Sequence, residues 1–160
     1  MREAILSALK LMVVVFVIAL SIAFIDLRWL EPMRTPPCDQ AKVAKGHICL
    51  STLLQDWNNK IIWIDARKQD DVERHPFTHK NSFPIRPNDA NALDLMNQAM
   101  PAIMGAQDEG QCIVVFCNRD CTSSEAVANE LKKPEYEIEA PIFILEGGWD
   151  ELKKDKSLVP

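Results

Sequence analysis

Apolar and polar positions follow two regimes along this chain. From Leu11 to Ile25, LMVVVFVIALSIAFI, no charge interrupts the run, and extending it back to Ala4 admits only Lys10. A membrane-spanning helix needs about 20 such residues. Lys10 lies toward one end, where its charge can snorkel to the interface, and Trp29 follows where headgroup-level aromatics are common. Residues 1–30 are therefore predicted to be a retained transmembrane helix. A cleaved signal peptide fits less well, because the small-residue site Ser21-Ile22-Ala23 lies inside the apolar run. A buried core helix fits least. Basic residues flank both ends, with Arg2 and Lys10 on one side and Arg28, Arg34, Lys42 and Lys45 on the other. The short N-terminal tail favours a cytoplasmic N-terminus and a domain on the extracytoplasmic (periplasmic) side.

Beyond the anchor the period changes. Residues 31–45, EPMRTPPCDQAKVAK, form a linker in which Pro32, Pro36 and Pro37 favour an extended spacer. A domain over residues 46–154 follows, with 155–160 as a tail. Ser51 is placed to cap a helix, TLLQDW. Ile61 to Ile64 is a short buried strand ending at Asp65, and Gln69 to Arg74 a helical turn or two. Asn88 to Met104 carries Leu93, Leu95, Met96, Met100 and Ile103 near one helical face, with a kink expected at Pro101. Cys112 to Phe116, CIVVF, is a β-rich run; Ser123 to Lys133 is a helix with Ala126, Val127 and Leu131 facing inward. Ile142 to Leu145 is a last strand, followed by Gly147-Gly148-Trp149 and the helix DELKK. Strands alternating with helices define an α/β fold with a parallel sheet flanked by helices.

Composition narrows the function. The 160 residues suit one domain of ordinary size, large enough to bury a core without staples. The net charge of -5 is spread over mixed signs with no basic stripe, which excludes nucleic acid as a partner. No solenoid-period repeat is present. The histidines and cysteines lack zinc spacing, so neither a metal nor an organic cofactor is expected.

The chemistry concentrates in VFCNRDCTSSEA, residues 115–126. In an open α/β sheet, sites form at the carboxyl ends of strands, and Cys117 sits at such an end. The next helix starts near Ser123, so the intervening loop can present its backbone amides toward whatever sits on Cys117, and those amides and the helix N-terminus carry partial positive charge. That environment lowers a thiol's pKa and stabilises an anionic sulfur. Cys112, at the start of the strand, reads instead as an inert core hydrophobe.

Three segments carry a resemblance to the single-domain rhodanese-like proteins. IIWIDARKQDDV resembles the family's strand, Asp-x-Arg and acidic helical turn. IVVFCNRDCTSSEAVANELKK resembles its active-site strand, loop and helix, and IFILEGGWDELKK its final strand with Gly-Gly and Trp. Their order and separations also match, over about Gly46 to Lys154. The resemblance implies a sulfurtransferase in which Cys117 takes sulfane sulfur from a small donor, holds it as a persulfide and passes it to a thiol acceptor. Asn118, Arg119, Asp120, Thr122 and Ser123 would form the loop that binds the persulfide. Two departures stand out. Thr122 occupies the place where many members carry an Arg, and RHPFTHKNSFPI replaces the usual Gly-His-Ile-Pro-Gly-Ala, with neither His75 nor His79 matching its histidine. Both departures make thiosulfate a poor donor.

Cys121 opens a second chemistry. A loop curling around Cys117 can bring the two sulfurs within disulfide range, roughly 5.5–6 Å between Cα atoms, so that Cys121 acts as a resolving thiol. Cys38 and Cys49 can pair in an oxidising compartment and staple the linker to the domain. Five cysteines leave one over, and Cys112 is the odd one. Asp65 and Arg67 read as a structural ion pair, Trp149 as core, and Thr122 or Ser123 as the cap of the active-site helix. Sulfur transfer through Cys117 is thus the first expectation. A thiol–disulfide protein using both cysteines is the second, and a membrane-tethered binding module on an idle rhodanese fold the third.

Overall fold

A computed structural model of the protein describes residues 37–159, apart from Asn59 and Asp120. The expected anchor and the first part of the expected linker lie outside the described residues. Among the described residues no helix is long and apolar enough to cross a membrane.

Among the described residues five strands form one parallel sheet: β1 (His47–Ile48), β2 (Ile61–Asp65), β3 (Ser82–Pro84), β4 (Cys112–Phe116) and β5 (Ile142–Leu145). Their spatial order is β1-β5-β4-β2-β3. Every residue of β2 and β4 is buried, as expected for parallel strands covered on both faces. The register pairs Ile62 with Ile113, Asp65 with Phe116, Ile113 with Ile142 and His47 with Ile144.

Alternation along the strands divides the core in two. Ile62, Ile64, Ile113, Val115 and Ile144 meet α3 (Ala92–Gly105) and α4 (Ser123–Leu131) through Ala99, Ile103, Val127 and Leu131. On the other face Ile61, Trp63, Val114 and Phe116 meet Leu53 of α1 (Leu50–Trp57) and Trp149 and Leu152 of α5 (Trp149–Leu152). One further short helix, α2 (Gln69–Arg74), follows β2.

Several boundaries differ from those the pattern predicts. Helix α1 starts at Leu50 with Cys49 as its N-cap, in place of Ser51, because Cys49 has the extended backbone of a cap and its carbonyl accepts the first helical bond from the Leu53 amide at 2.9 Å. Helix α3 begins at Ala92, not Asn88. Pro87 lies in a turn closed by bonds from the Asp89 amide to the Arg86 carbonyl and from the Ala92 amide to the Asp89 carbonyl. Helix α4 ends at Leu131 and α5 runs over Trp149–Leu152. The end of the expected linker is structured: Gln40–Lys42 is a turn of 3-10 helix capped by Asp39. Strands β1 and β3 are two and three residues long, too short to leave an alternating pattern in the sequence.

Candidate active site

Cys117 follows β4 directly. The strand's alternation puts it on the face covered by α3 and α4, and it is buried at 4% exposure. Its carbonyl accepts a bond of 2.8 Å from the Trp149 amide, which ties the end of β4 to the start of α5. Gly147 and Gly148 make this approach possible. Both have positive φ, 73° and 53°, and a Cβ on Gly148 would collide with the Cys117 carbonyl.

The chain then curls back. The Cys121 amide donates to the Asn118 carbonyl at 3.1 Å, closing a turn. The Asn118 side chain donates to Asp71 Oδ2 of α2 at 2.7 Å, and Asp71 Oδ1 pairs with Arg74 at 2.8 Å. With α2 bracing the turn, Cys121 returns to Cys117, and the two are joined in a disulfide with Cα atoms 6.1 Å apart. A second disulfide joins Cys38 to Cys49, Cα atoms 5.7 Å apart.

A pocket of about 110 Å³ opens beside Cys117. Cys121, Asn118 and Arg119 contribute from the loop, and Ser124 and Glu125 from the first turn of α4. Gly147 and Gly148 form part of its wall, and His47 and Glu146 stand at its sheet side. Among the described residues Thr122 and Ser123 are not part of this wall, and Asp120 lies outside the described residues. Thr122 is the N-cap of α4 but makes no side-chain cap bond. Its φ of -92° and ψ of -1° give it turn geometry, not the extended backbone from which a hydroxyl reaches the helix amides. The capping expected of Thr122 or Ser123 is corrected accordingly.

Several charged and ring groups pack around this region. Arg67 is fully buried; its Nε and Nη2 donate to Asp65, with the shortest bond 2.6 Å, and its guanidinium lies 3.8 Å from the Trp149 ring centroid. Both carboxylate oxygens of Asp65 are engaged by that fork, as a buried charge requires. Asp150 is held below the usual carboxylate range, chiefly by its bond from Lys153, with Arg119 contributing. His79 stacks on Phe77 at 5.9 Å between centroids, and burial pushes its pKa down. Neither His79 nor His75 lines the pocket. Burial pushes the Cys112 thiol up to about 12. Among the described residues no cluster of His, Cys, Asp and Glu could hold a metal ion.

Two residues of the pocket carry no signal that the motifs exposed. His47 lies in β1, and its place beside the site follows from β1 pairing with β5. Glu146 lies one residue past β5, and its partner is far away in the chain.

The profile of the rhodanese-like domain matches residues 49–155. No curated protein matches. Among solved structures, the N-terminal domain of a provisionally named ATP/GTP-binding protein from Clostridium difficile 630 is similar at 16% identity. That similarity covers 68% of this chain and 96% of that one, with a TM-score of 0.45. The parallel five-stranded sheet with helices on both faces is the architecture this profile implies, and the chain belongs to the rhodanese-like domain family. At the family level that membership points to sulfurtransferase-type function.

Proposed function

We propose that the protein is a sulfurtransferase whose Cys117 carries sulfane sulfur between a small donor and a thiol acceptor. The position of Cys117 carries this reading: it ends the central strand, precedes the N-terminus of α4, and opens onto a small pocket. In the reduced protein the Cys117 thiolate attacks the outer sulfur of an alkyl persulfide. A new S–S bond forms on Cys117, the donor's S–S bond breaks, and the donor leaves as a thiolate. An acceptor thiolate then takes the outer sulfur and returns Cys117 to its thiolate. The α4 N-terminus favours the Cys117 thiolate before loading and after transfer. Arg119 is the cation in the pocket wall, set against Glu125 and Glu146. That balance disfavours a dianion such as thiosulfate and favours persulfide donors.

A second reading has its own observation, the Cys117–Cys121 disulfide. Cys121 can attack Cys117 Sγ of the persulfide, closing the disulfide and expelling hydrosulfide, after which an external dithiol must reduce the pair. The two disulfides also support an oxidising, extracytoplasmic location for the domain.

The test is sulfur transfer from an alkyl persulfide to a simple thiol by the reduced full chain. Cys117→Ser should lose the activity by about 10³-fold or more, as removal of a covalent nucleophile does, and thiosulfate should be a far slower donor. Activity retained in Cys117→Ser would overturn the proposal.

A further inference from the structure

We propose that His47, oriented by Glu146, is the general base that removes the proton from the acceptor thiol as it takes sulfur from Cys117. This rests on the reading of Cys117 as the sulfur carrier.

His47 and Cys117 line the same pocket although they lie on different strands. His47 Nδ1 lies 2.9 Å from Glu146 Oε2. An ionised carboxylate only accepts, so Nδ1 is the nitrogen that donates to Glu146, and in the neutral ring the lone pair is then on Nε2. A neutral imidazole held in this tautomer is a base ready to accept a proton. The ring is partly shielded, with 21% of the side chain exposed. Its backbone is fixed on several sides. The Ile144 amide donates to the Gly46 carbonyl at 2.9 Å, and the Glu146 amide donates to the Ile48 carbonyl at 3.0 Å. Gln40 donates to the His47 carbonyl at 3.1 Å, and the Cys38–Cys49 disulfide brackets the segment. The charged groups around His47 are Glu146, Glu125 and Arg119 at the pocket, and Lys132, which reaches Gly46 from the end of α4. A half-exposed His–Glu pair adds little to stability by itself; its place in the wall beside the sulfur carrier is what gives it a chemical use.

The step balances. The acceptor thiol gives its proton to His47 Nε2, and its sulfur attacks the outer sulfur of the protonated Cys117 persulfide. A bond forms between acceptor sulfur and outer sulfur, and the bond from that sulfur to Cys117 Sγ breaks. The electron pair stays on Cys117 as thiolate, while the new imidazolium is paired with Glu146. The products are an acceptor persulfide, the Cys117 thiolate and protonated His47, with charge conserved. Glu146 is a positioning residue, since it acts through the imidazole.

The experiment uses the full chain carrying Cys121→Ser, so that the persulfide has no internal thiol to meet. The protein, with its Cys38–Cys49 disulfide intact and its Cys117 thiol free, is loaded with an alkyl persulfide, freed of excess donor, and mixed with one of two acceptors. One is 2-mercaptoethanol, which is mostly protonated at neutral pH; the other is an aromatic thiol already largely ionised. Rapid-quench intact mass follows loss of the sulfur. His47→Gln should slow transfer to 2-mercaptoethanol by about 10²-fold, the usual size of a general-base contribution, and transfer to the aromatic thiol by only a few-fold. Glu146→Gln should give a smaller loss with the same preference between acceptors. Equal slowing with both thiols, or no slowing, would overturn the proposal. Cys117 failing to load in the His47-containing chain would instead overturn the sulfur-carrier reading beneath it.

Discussion

Two cysteines five positions apart, Cys112 and Cys117, show how place decides chemistry. Both belong to the same apolar run and both are buried. Cys112 lies at the start of β4 against α1 and α5, where desolvation outweighs the opposing effect of a backbone hydrogen bond, and its thiol is pushed up to about 12. Cys117 lies past the strand's end, in the wall of a pocket. The sequence distinguishes them through strand direction alone: chemistry gathers at carboxyl ends of parallel strands. For Cys112 the consequence is testable. Its folded-state pKa is raised above that of the unfolded chain, so the stability it contributes is complete below the ordinary thiol range. That stability is lost as pH rises toward about 12. Denaturant unfolding from neutral into alkaline solution should show this loss, and Cys112→Ala should flatten it. At neutral pH an alkylating reagent should label Cys112 only in unfolded protein.

At the scale of elements, what was legible follows from periodicity. The runs at 61–65, 112–116 and 142–145 are unbroken and β-rich, and the structure forms β2, β4 and β5 there. The helix after Cys117 begins at Ser123, where its pattern places it. Elements set by tertiary pairing were not legible. β1 is two residues, His47–Ile48, and exists because β5 offers an edge for it to pair with. The His47–Glu146 pair spans 99 positions, so no local spacing announces it. The cap of α1 was misplaced because a hydroxyl at Ser51 is the stronger local signal, whereas the extended Cys49, fixed by its disulfide, sets the first turn. The Gly-Gly turn before α5 was legible as a tight turn, but its contact with Cys117 was not. Gly148→Ala would force a Cβ into the Cys117 carbonyl at positive φ. It should cost about 2–3 kcal/mol in denaturant unfolding, within the range of strained-backbone and overpacking substitutions.

Across the molecule, the sheet brings together groups from three distant stretches: β1 with His47, the β4–α4 loop with Cys117 and Cys121, and the β5–α5 turn with Glu146, Gly147 and Gly148. The Cys38–Cys49 disulfide secures the first of these. It closes a short loop, 11 positions apart, whose amides and carbonyls also bind Gln40. Cys38→Ser should lower stability by about 2–3 kcal/mol on the loop-closure scale. The measurement that bears most directly on function is the intact mass of the reduced full chain after exposure to an alkyl persulfide, with Cys117→Ser and Cys121→Ser beside it. A gain of one sulfur that persists in Cys121→Ser and vanishes in Cys117→Ser is the predicted result. A chain that gains no sulfur in any of the three, with Cys117 unreactive to alkylation, would contradict it.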